Sequence, residues 1–123
     1  MYDKELLAES LEQIHKLAKT ILFRIEPIKK AADFTDSPAG MEKLDSICML
    51  LIVIGESLKK LDKITEGKLL KKYPEIEWKK VVGMRNIISH QYFDVDAEVV
   101  FHACTIEMPH LANIIEKMIK ETH

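Results

Sequence analysis

At 123 residues the chain, 1–123, has room for one domain and a core large enough to fold without metal or disulfide staples. Apolar residues make up 47% and charged residues 31%, with four Gly and four Pro, a composition that suits helices and disfavours a turn-rich β fold. The net charge of -2 hides an uneven distribution: Lys59 to Gln91 holds nine Lys and Arg against four Asp and Glu, while the stretches before and after it are acidic. A basic middle third is either a surface that attracts phosphates or a set of lysines on a solvated helix face.

Near the amino terminus, Met1 is followed by Tyr2-Asp3-Lys4-Glu5, which is no signal peptide. The longest apolar run, Ile47 to Gly55, is too short for a membrane span, which needs about 20 residues. A cytoplasmic protein with no membrane partner is therefore expected. The two cysteines, Cys48 and Cys104, lie in apolar stretches without a CxxC partner and read as buried reduced thiols, not as a zinc site.

Leu7, Leu11, Ile14, Ala18, Ile21 and Ile25 recur at three- and four-residue steps and predict a helix from about Asp3 to Arg24, ended or kinked by Pro27. The stretch Asp33 to Gly40 reads as a polar connection in which Ser37 caps a helix that has Pro38 in its first turn. That second helix is predicted over Pro38 to Ile64, with Leu44, Ile47, Leu51, Ile54, Leu58 and Leu61 as its stripe. Its middle, Ile47 to Ile54, is apolar on every side, so a second face is expected to meet another subunit or a further helix.

Tyr73-Pro74-Glu75 lies in a short helical turn and loop. A third helix is predicted from about Glu77 to Gln91 on Trp78, Val81, Val82, Met84, Ile87 and Ile88, with Gly83 inside it as a site of close helix contact. The last helix opens near Asp94 or Asp96 and runs to about Lys120 on Val99, Val100, Ala103, Ile106, Leu111, Ile114, Ile115, Met118 and Ile119, kinked or divided at Pro109. Four main helices with short connections predict an all-α, up-and-down four-helix bundle with short extra helical turns.

Chemistry concentrates in Arg85-Asn86-Ile87-Ile88-Ser89-His90-Gln91-Tyr92 at the end of the third helix. A guanidinium donates parallel, charge-assisted hydrogen bonds to a phosphate. An imidazole, with an unperturbed pKa of about 6.5, moves protons near neutrality. Together they suffice for cutting RNA without a metal or other cofactor. On a regular helix, however, Arg85 and His90 point about 140° apart, whereas Asn86 and His90 share a face. Either the helix ends before His90, or a second copy completes the site across a two-fold axis. The plain alternative is that these polar residues cap carbonyls at a helix end.

With its flanks, this run resembles the HepT branch of the HEPN superfamily, whose signature Arg-Asn-X-X-X-His-X-Tyr stands here at Arg85, Asn86, His90 and Tyr92. Ile54-Gly55-Glu56, Tyr73-Pro74-Glu75-Ile76-Glu77-Trp78, Gly83-Met84 and Phe93-Asp94-Val95-Asp96 agree with it, and the resemblance covers about Leu44 to Leu111. It implies a HEPN-like bundle, a homodimer with two motifs facing a shared cleft, and a metal-independent endoribonuclease toxin acting on an RNA substrate. It further implies a cognate minimal nucleotidyltransferase antitoxin that adds AMP to Tyr92. Carried over, Arg85 holds phosphate, His90 transfers protons, Asn86 orients His90 or the phosphate, and Glu56 is a supporting residue or a buried carboxylate paired with Arg85 or a helix end. His15, His102, His110 and His123 match nothing in the motif. The alternative is a non-catalytic HEPN module that binds a nucleotide or the partner protein.

Overall fold

The structure, a computed structural model, describes residues 3–90 and 96–122, and only the backbone of Ile87, Ser89 and His90. Helix α1, Lys4–Ile25, starts where the Asp3 carboxylate accepts hydrogen bonds from the Glu5 and Leu6 amides at 2.8 and 3.2 Å, an N-cap that satisfies two orphan donors. All six apolar residues of its predicted stripe are buried. The chain then makes a short helix not expected from its polar composition, α2, Ala32–Thr35, which drives Phe34 completely into the core. The Asp33 carboxylate fastens this turn by accepting from the Lys29 and Lys30 amides.

Helix α3, Pro38–Ile64, begins as predicted: Ser37 Oγ accepts from the Gly40 amide at 3.1 Å and Pro38 occupies the first turn. Its six predicted stripe residues are all buried. At its far end the Gly67 amide reaches the Asp62 carbonyl at 2.8 Å and the Glu66 amide the Lys63 carbonyl at 3.2 Å, a Schellman closure with Glu66 and Gly67 at φ 54° and 73°. The connection carries a 3₁₀ turn, Leu70–Lys72, and delivers the chain to α4, Trp78–His90.

Asp96 caps α5, Ala97–His102, which runs through a π-helical segment, Ala103–Glu107, into α6, Met108–Thr122. The wide segment lies immediately before Pro109. Proline cannot donate to the carbonyl four residues back and its ring crowds that carbonyl, so one longer turn, closed by the Met108 amide on the Ala103 carbonyl, carries the helix past it. The predicted break is thus a local widening. Two residues predicted for the core of this helix are instead exposed: Val99 stands about 100° around from buried Val100, and Ile106 lies in the π segment.

Helix α1 packs on α3 and α6, and α4 packs on α3, around one apolar cluster that includes residues from every helix. No strand occurs among the described residues, and no helix is long and apolar enough to cross a membrane. Outside this core, α3 keeps apolar surface turned outward at Met49, 60% exposed, and Val53, 38% exposed.

Gly40 is required by close approach: a β-carbon there would stand 2.1 Å from the Asp33 carbonyl oxygen and 2.9 Å from that of Phe34. Gly40→Ala is expected to cost about 1–3 kcal/mol of folding free energy, measured by chemical denaturation. Burial pushes the Cys48 thiol up to about 11, with the Asp45 carboxylate adding to it, and the Cys104 thiol up to about 12, with Cys48 adding. Tyr73 rises to about 12 through burial first and then through the hydrogen bond its hydroxyl donates to Glu121. All three are raised in the folded state, so their contribution is full below the unfolded values of 9 and 10 and is lost as pH climbs through 11 to 12. Stability measured against pH should therefore fall across that alkaline window, and less so in Tyr73→Phe.

Candidate active site on the third long helix

The position of α4 is set by α3. At Gly55 the two helices meet so closely that a β-carbon on the glycine would lie 2.9 Å from Arg85 Cβ and 3.4 Å from the Val82 carbonyl oxygen. The glycine of the Ile54-Gly55-Glu56 run is a notch into which the base of Arg85 fits. The expected close contact of Gly83 is not found: a β-carbon there would meet nothing within 4 Å, so this glycine faces open space. The close helix contact of this pair of helices belongs to Gly55.

One residue beyond the notch, the Glu56 carboxylate forms an ion pair with Nε of Arg85. The side chains are 47% and 36% exposed, so Glu56 is not the buried carboxylate that the sequence allowed. A pair this open contributes only about 0–1 kcal/mol to stability, and its effect is chiefly to fix the guanidinium. On the other side, Arg85 Nη1 donates to Asn86 Oδ1 at 2.8 Å. A guanidinium has five N–H groups. Among the described residues one is spent at Nε and one at Nη1, which leaves Nη2 and the rest of Nη1 as the two nitrogens that can grip one phosphate side by side.

The backbone of α4 continues through His90. An early helix end, one of the two ways of bringing His90 beside Arg85, is therefore absent, and the roughly 140° between the two positions stands. Asn86 lies on the same stripe of α4 as His90, one turn earlier. The side chain of His90, and Tyr92 altogether, fall outside the described residues, so the structure unites Arg85, Asn86 and Glu56 of the candidate set.

Asn86 also borders a groove of about 780 Å³ between the end of α3 and the start of α4, open over Gly83. Trp78 lines it, with its indole N–H donated to the Tyr73 carbonyl at 2.9 Å. Sequence reasoning placed Trp78 among the core residues and missed the groove, because only the packing of α3 on α4 makes it.

The sequence matches the family described as ribonuclease HepT-like over residues 7–118. It is 38% identical over 76 residues to "Putative RNase MJ0125" of Methanocaldococcus jannaschii, a match covering 62% of each chain. It is 34% identical over 101 residues to "Putative RNase TTE0752" of Caldanaerobacter subterraneus subsp. tengcongensis, covering 80% of each. To "Probable ribonuclease HepT" of Thermococcus cleftensis it is 28% identical over 114 residues, covering 93% of this chain and 90% of that one. The match spans 62% and 60% of the length of two of the Methanocaldococcus relatives. No solved structure matches the chain. An all-α bundle, the Arg85 motif held against Gly55 and Glu56, and a family match over nearly the whole length together make this chain a member of the ribonuclease HepT-like family.

Proposed function

We propose that the chain is a metal-independent endoribonuclease, the toxin of a toxin–antitoxin pair, with Arg85 holding the scissile phosphate and His90 transferring protons. The observation that carries this reading is the guanidinium of Arg85, held by Glu56 at Nε and by Asn86 at Nη1 while Nη2 has no partner among the described residues. In the reaction, the ribose 2′-oxygen bonds to phosphorus as the bond to the 5′-oxygen breaks. The 2′-hydroxyl proton passes to a neutral imidazole, and a protonated imidazole supplies a proton to the leaving 5′-oxygen. The products are a 2′,3′-cyclic phosphate and a 5′-hydroxyl, and Arg85 stabilises the charge on the crowded phosphorus.

This division of labour asks for two imidazoles and for an arginine near a histidine whose position lies about 140° around the same helix. A homodimer meets both demands, because a two-fold axis brings each Arg85 toward the other copy's motif. Met49 and Val53, exposed on α3, lie on the same stripe as Glu56, two turns and one turn before it, and so offer apolar surface for such an interface beside the site. The cognate minimal nucleotidyltransferase antitoxin would silence the toxin by placing AMP on Tyr92, an anion two residues from His90 that blocks the cleft and repels RNA phosphates.

Purified protein, freed of any partner and verified by mass to be unmodified at Tyr92, should cut total RNA in EDTA and leave 2′,3′-cyclic ends. Arg85→Ala and His90→Ala should each lower the rate by about a hundredfold or more. Folded, unmodified protein that cuts none of a varied set of RNAs would sink the reading in favour of a nucleotide- or partner-binding module.

Gly55→Ala tests the notch. The added carbon must push Arg85 away, so kcat should fall about ten- to a hundredfold with a smaller change in KM, while the folding free energy drops by about 1–3 kcal/mol. Unchanged kcat in this variant would mean that the close approach serves packing alone.

A further inference from the structure

We infer that the groove between the end of α3 and the start of α4 is a track for single-stranded RNA that leads the chain of phosphates to Arg85. The inference rests on the ribonuclease reading and adds to it a binding site away from the reacting atoms. Charge supplies the first argument. The groove is lined by Lys59, Lys71, Lys79 and Lys80, against the two carboxylates Asp62 and Glu77. Lys80 is engaged with Glu107 at 3.8 Å, and elsewhere Lys68, Lys117 and Lys120 each have a carboxylate within 4 Å. Lys59, Lys71 and Lys79 have no such partner among the described residues. They are three of the six lysines of the basic middle third that have no such partner among the described residues, the others being Lys60, Lys63 and Lys72, and these three border one concavity.

Shape and chemistry of the floor supply the second. Gly83 leaves the helix surface bare where any other residue would fill the groove. The indole of Trp78 is half-buried in the wall and its only donor is already used on the Tyr73 carbonyl. What Trp78 offers a ligand is therefore ring surface. Stacking on a ring tolerates every base, which suits a strand held through its phosphates and not read by sequence. A mononucleotide would need one tight pocket, and this groove is open.

Position supplies the third. Lys79, Gly83 and Asn86 fall on one stripe of α4, and Asn86 holds the Arg85 guanidinium. From Lys79 to Asn86 the helix rises about 10 Å. At about 3.4 Å per stacked nucleotide, that accommodates about three nucleotides beside the scissile phosphate.

The chain contains a single tryptophan, so Trp78 fluorescence reports on the groove directly. The probe is a 2′-O-methyl oligoribonucleotide of mixed sequence, which has no 2′-hydroxyl to be attacked. It should quench Trp78, and Lys59→Glu combined with Lys79→Glu should weaken its binding at least tenfold. The dependence of log Kd on log salt should flatten by about 0.7 for each phosphate that the variant no longer neutralises. Lys16→Glu combined with Lys19→Glu on α1, which makes the same change in net charge outside the groove, should leave binding near that of the wild type. With a labelled oligonucleotide, Trp78→Ala should lose about five- to a hundredfold in affinity and Trp78→Phe should recover much of it.

Equal loss in both lysine pairs, or binding indifferent to both, would overturn the track. So would quenching by AMP at the concentrations that suffice for the oligonucleotide, which would make the groove a mononucleotide site. If the wild type cuts RNA but the groove variants bind and cut like it, the track fails and the ribonuclease reading stands. If the oligonucleotide binds in a lysine-dependent way and nothing is cut, the ribonuclease reading fails and the track stands.

Discussion

The candidate site depends on a missing β-carbon. Gly55 lets α4 approach α3 until Arg85 Cβ occupies the space that any other side chain would fill, and Glu56, the next residue, is then within reach of the guanidinium. One dipeptide sets both the distance between two helices and the orientation of the arginine between them. The ion pair could not do this alone. Exposed pairs are worth too little to define helix packing, whereas a steric fit against backbone and Cβ atoms admits one arrangement. The pair fixes the guanidinium within a geometry that the glycine has already imposed.

Most of the fold was legible in the sequence because helical burial is periodic. The stripes of α1 and α3 are buried residue for residue, and the cap at Ser37-Pro38 starts α3 where expected. The failures have local causes. Phe34 lies in a stretch of Asp, Thr and Ser with no period to reveal it, and it is buried because Gly40 lets the start of α3 pass over the α2 backbone. Val99 and Ile106 are apolar residues in an apolar helix, and which of them turn inward depends on phase and on the π segment before Pro109, neither of which composition displays.

The site divides in the same way. Residue types and spacing pointed to Arg85 and its neighbours, since a guanidinium, an amide and an imidazole at a helix end form an unusual cluster. Which of the two glycines marked a helix contact was not legible. Gly83 and Gly55 are each a glycine within a helix, but their surroundings come from the neighbouring helix, and the structure gives them opposite roles: one admits Arg85, the other leaves a groove open. The groove itself was invisible for the same reason, because Lys59 belongs to α3, Lys71 to the connection and Lys79 to α4.

A net charge of -2 would be an odd property for a protein that handles RNA if the whole molecule attracted it. Attraction between exposed charges is screened beyond about 8 Å at physiological salt, so a phosphate responds to the nearest few residues and not to the sum. The lysines of α1 are offset by acids spread along the same helix, and in the basic third outside the groove Lys68 lies beside Glu66. Three lysines without a carboxylate partner among the described residues line one groove, which Asn86 joins to the guanidinium of Arg85, and so place positive charge along a single concavity. Such a distribution favours a strand laid along the groove.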